Sequence, residues 1–213
     1  MQPIVPFEEV AEACKTIDEH PEQCIKLGVR HPGETSVEHR FDPGFITAPA
    51  SGADIEVERY VGNFRVACQA VADRGITLAF EFLGKLRVAC NLATGLKIVE
   101  EVGLPNAGLL IDTAHFLAGG SSMEDLRNTP VERIALIHFE DMAAGSRDTA
   151  GEKDRRIPGE GAAPLREFVR ILHSKGYDGY YSMEPIGASY GEPVEVARRG
   201  YQGTRRLLEE AEG

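Results

Sequence analysis

The sequence has 213 residues, of which 42% are hydrophobic and 27% are charged, a balance typical of a folded globular protein. Asp and Glu number 34 against 23 for Lys and Arg, and the net charge of −11 disfavours binding to a phosphate backbone. No apolar run reaches the ~20 residues that cross a bilayer, and residues 1–6 do not resemble a secretory signal. We therefore expect a cytoplasmic protein with no nucleic-acid partner and no membrane association.

Six segments of the chain are predicted to be strands. Each is a short run rich in apolar residues, as is typical of a parallel strand that is buried on both faces. Two weak candidates cover residues 24–29 and 44–49. Four stronger candidates cover residues 76–82, 107–112, 133–139 and 179–184.

The segments between these strands are predicted to be helices, because their apolar residues recur at helical spacing. Such stripes lie at residues 7–17, 57–71 and 165–172, and a last helix is expected over about residues 193–210. Ser121 and Glu124 fit a capping box that would open a further short helix. No repeat, low-complexity tract or linker divides the chain, so we expect a single domain over residues 1–213.

The alternation of strands and helices implies a parallel sheet with helices outside it, either a closed barrel or a doubly wound sheet. The polar residues favour the barrel, in which all strand ends converge on one mouth. Each strong strand carries one ionisable residue at or near its C-terminal end, and these are Glu81, Asp112, His138 and Glu184. A full barrel has eight strands and typically ~250 residues. We therefore expect an α/β fold of the TIM type with about six of eight strands, either incomplete at its N-terminal side or beginning partway into the domain.

Three carboxylates and one imidazole form a mixed set of oxygen and nitrogen ligands. Such a set suits one divalent metal ion, Mn²⁺, Mg²⁺, Co²⁺ or Zn²⁺, and leaves positions open for substrate oxygens. Each residue also has an ordinary structural explanation: Asp112 could cap a helix, His138 could be a core histidine, and Glu184 could lie in a surface loop. Ionisable groups rarely lie beside buried strands without a partner, so four of them on successive strands favour a shared cation.

Five blocks of sequence occur in a fixed order between residues 75 and 190. They are LAFEF at 78–82, LIDTAH at 110–115, IHFED at 137–141, DRRIPGEG at 154–161 and YSME at 181–184. Together they resemble the xylose-isomerase-like TIM barrels of the sugar phosphate isomerase/epimerase family. The resemblance implies that His115 and Arg155 contact the substrate. It also implies that the metal ligands on barrel strands five to eight are Glu81, Asp112, His138 and Glu184.

The chemistry that suits such a site is proton transfer next to a carbonyl. The metal would hold two adjacent substrate oxygens and stabilise an enediolate, while Glu81 and Glu184 remove and return the proton as catalytic acid and base. We therefore expect a metal-dependent isomerase or epimerase that acts on a keto-sugar, a sugar phosphate or a related polyol.

Three alternatives stay open from the sequence. A metal-dependent dehydratase of a cyclic polyol or keto acid could use the same residues. A DNA-repair endonuclease of the same fold is disfavoured, because it needs further ligands and a basic face. The short N-terminal side leaves a catalytically inactive metal-binding fragment open as the third alternative. An exposed barrel flank would favour a homo-oligomer.

Overall fold

The computed structural model describes the chain in six segments, residues 4–6, 28–30, 45–49, 56–145, 152–184 and 191–212. They belong to two compact units, of which the first takes in residues 1–43 and 190–198 and the second residues 44–189 and 199–213. The single domain stays a prediction. The predicted helix at residues 7–17 lies outside the described residues, as does most of the predicted strand at 24–29.

The first unit contains two short parallel strands. Strand β1 (Ile4–Pro6) pairs with β2 (Gly28–Arg30), and Val5 lies opposite Val29. Strand β2 overlaps the end of the predicted strand at 24–29. Strand β1 was not predicted, because a three-residue strand bounded by prolines is too short to show a periodic pattern.

The second unit is built on a five-stranded sheet in which every neighbouring pair is parallel. The strands follow one another in chain order, as they do around a (β/α) barrel. They are β3 (Phe45–Pro49), β4 (Thr77–Glu81), β5 (Ala107–Asp112), β6 (Ile134–His138) and β9 (Tyr181–Ser182). This arrangement confirms the predicted fold class. The described residues do not close the barrel, since β3 and β9 are the two edges of this sheet.

Six α-helices are described, and five of them lie within the connections between the parallel strands. The helices are α1 (Val57–Val71), α2 (Leu92–Val102), α3 (Thr113–Ala118), α4 (Met123–Asn128), α5 (Leu165–Ser174) and α6 (Pro193–Glu212). None of them is long and apolar enough to cross a membrane.

Aromatic side chains join the helices to the sheet in the core of the second unit. Phe64 of α1 meets Phe80 of β4 edge-to-face, with ring centroids 5.3 Å apart. Phe116 of α3 meets Phe168 of α5 in the same way at 5.4 Å. These contacts bury large apolar surfaces between the helices and the sheet and between neighbouring helices.

The capping box of α4 lies one residue later than predicted, so the assignment to Ser121 and Glu124 was wrong. The Ser122 hydroxyl accepts the Asp125 backbone N–H at 3.1 Å, and the Asp125 carboxylate accepts the Ser122 backbone N–H at 2.7 Å. Both registers fit the same pattern in the sequence. Ser121 is buried, and its hydroxyl accepts the Leu92 backbone N–H at 2.9 Å instead.

A short antiparallel pair follows β6 and was not predicted. Strand β7 (Asp141–Met142) pairs with β8 (Arg155–Arg156), and Met142 lies opposite Arg155. The sequence between them is polar and indicated only a loop. The pairing brings Arg155 back towards the C-terminal edge of the sheet.

Candidate metal centre

Four ionisable side chains meet at the C-terminal edge of the five-stranded sheet. Three end their strands, and Glu184 lies two residues beyond β9. They offer three carboxylate oxygens and one ring nitrogen, all within 4.8 Å of one another, from Glu81, Asp112, Glu184 and His138. The strand register explains the convergence, since Asp112 lies directly beside His138. The structure therefore brings together the four predicted residues, and their role as ligands stays a prediction.

The imidazole of His138 is 2% exposed and lies between two carboxylates. Its Nδ1 is 3.1 Å from Glu184 Oε2 and 3.7 Å from Glu81 Oε1. Within the described part of the chain neither ring nitrogen has a well-directed hydrogen bond. Burial lowers the pKa of His138, but the two carboxylates outweigh it and raise the pKa to about 9.

Asp112 and Glu140 share the guanidinium of Arg155. The Arg155 Nη1 lies 2.8 Å from Asp112 Oδ2 and 3.1 Å from Glu140 Oε2, and all three side chains are at most 3% exposed. Burial and the charge of Asp112 raise the pKa of Glu140 well above its ordinary value, against the opposing effect of Arg155. The predicted contact of Arg155 with substrate stays a prediction, and its observed partners are these two carboxylates.

Glu140 was missed by sequence reasoning, although it lies in the IHFED block. Its Oε1 accepts the Glu184 backbone N–H at 2.5 Å. Its own backbone N–H donates to the Thr113 hydroxyl at 2.8 Å, which ties the segment after β6 to the start of α3. The signal that could have found it is a carboxylate two residues after His138, directly after the apolar Phe139. An ionisable group in such a buried run requires a partner.

Asp112 also caps α3, so its structural and functional interpretations are compatible. Its Oδ1 accepts the backbone N–H of His115 at 2.8 Å, while its Oδ2 contacts Arg155. Both oxygens are thereby fixed in position. His115 lies in the first turn of α3 with a half-buried side chain, and its contact with substrate stays a prediction.

Asp141 organises the turn that follows Arg155 and was likewise not singled out. Its carboxylate accepts the backbone N–H groups of Gly159 at 3.0 Å and Ala163 at 2.8 Å. Gly161 packs so closely that an added Cβ would overlap the Asp141 carboxylate and the Met142 carbonyl oxygen. The PGEG stretch at residues 158–161 therefore shapes the polypeptide beside the site.

The donor set fits a divalent cation. Four carboxylates, counting Glu140, face the guanidinium of Arg155 and the imidazole of His138, so the site has an excess of negative charge when the imidazole is neutral. Neither buried ring nitrogen of His138 is satisfied by a hydrogen bond from the residues described. Buried charges and orphaned polar atoms are costly, and a cation would compensate both.

The sequence is similar to curated proteins that are named as an isomerase and an epimerase. An inosose isomerase of Halalkalibacterium halodurans is 35% identical over 137 residues, 63% of this chain and 49% of that protein. A fructoselysine 3-epimerase of Escherichia coli O157:H7 is 27% identical over 171 residues, 79% of this chain and 58% of that protein. The chain thus spans about half the length of the curated relatives that it matches.

The fold is shared with solved structures at lower identity. A crystal structure of IOLI protein with a binding zinc atom superposes with a TM-score of 0.73 at 20% identity, covering 96% of this chain and 68% of that chain. A D-tagatose 3-epimerase-like protein gives a TM-score of 0.65 at 16% identity, covering 100% of this chain and 98% of that chain.

The sequence profile described as xylose isomerase-like TIM barrel matches residues 5–207, nearly the whole chain. The match takes in all five blocks that suggested the resemblance, and the strand order of the second unit agrees with it. The chain belongs to the xylose isomerase-like TIM barrel family.

Proposed function

We propose that this chain carries the metal centre of a divalent-metal-dependent isomerase or epimerase. Its substrate is a keto-sugar, a sugar phosphate or a related polyol. The observation that supports the proposal most strongly is the convergence of four ligand atoms, from the ends of four parallel strands, within 4.8 Å. The named relatives, an inosose isomerase and a fructoselysine 3-epimerase, support the same reaction class.

The ligands in this proposal are Glu81, Asp112, His138 and Glu184. They would hold one Mn²⁺, Mg²⁺, Co²⁺ or Zn²⁺ ion, since carboxylate oxygens and imidazole nitrogen suit all four. When bound, such an ion polarises a substrate carbonyl and stabilises the negative charge of an enediolate.

Glu81 and Glu184 are the proposed acid and base. They approach the cluster from β4 and from beyond β9, the strands that flank β5 and β6 in the sheet. One carboxylate removes the proton from the carbon next to the carbonyl, the electrons of that C–H bond form the C=C bond of the enediolate, and the π electrons of the carbonyl move to its oxygen. The other carboxyl group donates a proton to carbon, either on the opposite face or at the neighbouring carbon, which gives an epimer or an isomer.

Two pocket residues complete the proposal. We propose that His115, in the first turn of α3, and Arg155, beside Asp112, contact the substrate. The cytoplasm is the proposed location.

The experiment is exchange of substrate hydrogen with solvent. Ketoses are incubated with the metal-loaded chain in D₂O, and deuterium at the carbons beside the carbonyl is followed by NMR. Glu81→Gln and Glu184→Gln should each abolish the exchange, because an amide cannot accept the proton. Glu167→Gln is the matched control, since Glu167 is an exposed partner of Arg127. Exchange that survives in both variants would contradict the proposed roles, and loss of water without exchange would favour the dehydratase.

A further inference from the structure

We propose that Glu140 is a positioning residue for the metal centre, linking the ligands Glu184 and Asp112 through its side chain. This inference rests on the proposed function and adds a residue that no strand-end pattern singles out. Glu140 lies two residues after His138 and is 1% exposed. Its two carboxylate oxygens have different partners.

The first oxygen fixes the polypeptide at Glu184. Strand β9 is only two residues long, and its last residue, Ser182, pairs with His138. Beyond that residue the ladder no longer holds the chain, although Glu184 still has to reach the cluster. The hydrogen bond from the Glu184 N–H to Glu140 Oε1, at 2.5 Å, replaces the missing ladder bond. The bond sets the direction in which the Glu184 side chain leaves the backbone.

The second oxygen lies beside the cation that holds Asp112. Glu140 Oε2 is 3.1 Å from Arg155 Nη1, which also contacts Asp112 Oδ2 at 2.8 Å. The connection therefore runs from the Glu184 backbone, through the Glu140 carboxylate and the Arg155 guanidinium, to Asp112. It joins ligands on β5 and beyond β9, strands that are separated in the sheet by β6.

Glu140 itself does not belong to the group of four ligand atoms, which comprises residues 81, 112, 138 and 184. Its two carboxylate oxygens contact the Glu184 N–H and the Arg155 guanidinium instead. Groups that orient metal ligands typically alter metal affinity by about 10–100-fold when they are removed. We therefore expect Glu140 to act on the metal through the orientation of Glu184.

The test uses Co²⁺ as the probe, because its visible absorption reports the geometry of its ligands. Glu140→Leu, which removes both contacts, should weaken Co²⁺ binding by about tenfold or more and change the absorption bands. Glu140→Gln keeps the shape and can satisfy only one of the two partners, so its affinity should fall between that of Glu140→Leu and that of the unchanged chain. Glu167→Gln, an exposed change of the same chemistry, should leave both readouts unaltered.

The unfolding transition of each metal-free variant is measured in parallel. If Glu140→Leu does not fold, the Glu140→Gln variant decides. A Co²⁺ affinity and absorption spectrum of Glu140→Gln equal to those of the unchanged chain would then overturn the proposal. Wild-type affinity and absorption bands in a folded Glu140→Leu variant would overturn it equally. Failure of the unchanged chain to bind Co²⁺ is a separate result, which would instead contradict the proposed function.

Discussion

The guanidinium of Arg155 lies 2.8 Å from the carboxylate of Asp112, and both side chains are buried at the C-terminal edge of the sheet. Asp112 is thereby held on one oxygen by a cation and on the other by the first turn of α3. Arg155 lies 43 residues after Asp112 in the sequence. The short pair of β7 and β8 is what brings the two residues together.

Replacing Arg155 by methionine should strongly destabilise the metal-free protein. The change leaves Asp112 and Glu140 buried without their cation, and removal of one partner from a buried ion pair costs roughly 3–5 kcal/mol. Urea unfolding in the presence of a chelator measures the loss. Arg127→Met is the control, because Arg127 is 48% exposed and an exposed pair contributes about 1 kcal/mol or less. Equal losses for the two variants would contradict the buried role of Arg155.

Metal binding should release a proton from His138 near neutral pH. In the metal-free protein the pKa of His138 is raised to about 9, so its imidazole is protonated there, whereas a ligand nitrogen must be free of its proton. Metal affinity should consequently rise with pH up to about 9. Calorimetry in buffers of different ionisation enthalpy should detect close to one proton released at about pH 7.5. No release at that pH would show that His138 is neutral before binding.

The contribution of His138 to the stability of the metal-free protein should fall as the pH rises, whereas metal affinity should rise. The folded-state pKa of His138 lies above its ordinary value of 6.5, so its contribution is fully present below about pH 6.5 and is lost as pH rises to about 9. Comparing the free energies of unfolding of the unchanged chain and His138→Gln over this range isolates the effect. The difference between the two should shrink as pH rises, and a difference that grows instead would reverse the assigned sign.

Gly161 should not tolerate a methyl group. An added Cβ would overlap the Asp141 carboxylate and a backbone oxygen, so Gly161→Ala should lower the free energy of unfolding by about 1–3 kcal/mol. Gly62 is the matched control, since it lies inside α1 with no atom within 4 Å of an added Cβ. There the same change should stabilise by about 0.5–1 kcal/mol, because alanine is the better helix former. Changes of the same sign at both positions, read from urea unfolding, would contradict the close packing at Gly161.

Ser121 and Ser122, the two serines before α4, should each stabilise the protein through a different hydrogen bond. Ser122→Ala removes the N-cap and should cost about 1 kcal/mol. Ser121→Ala leaves the buried Leu92 N–H without its acceptor and should cost about 1–3 kcal/mol. Glu124→Gln, at the position expected from the sequence, should change the unfolding free energy little. A large loss in that last variant would restore the predicted register.

The sequence predicts the strand ends well and the connections between them poorly. Glu81, Asp112 and His138 each follow a buried apolar run, so their convergence follows from the rule that the C-terminal ends of parallel strands share one edge. Glu140 and the pair of β7 and β8 depend on contacts across more than ten residues of polar sequence, for which no local period exists. The N-cap of α4 was predicted at Ser121 and lies at Ser122 for a different reason. Both serines satisfy the same local pattern, and the burial of Ser121 decides between them.

The most direct test of the metal centre is the metal content and thermal unfolding of the purified chain, with and without chelator, beside its Glu184→Gln variant. An ion that binds only the folded state raises the unfolding temperature by mass action. We expect roughly one divalent ion per chain, and an increase in the unfolding temperature that both chelator and the variant abolish. A chain without bound ion, whose unfolding is the same with and without chelator, would contradict the proposed metal centre.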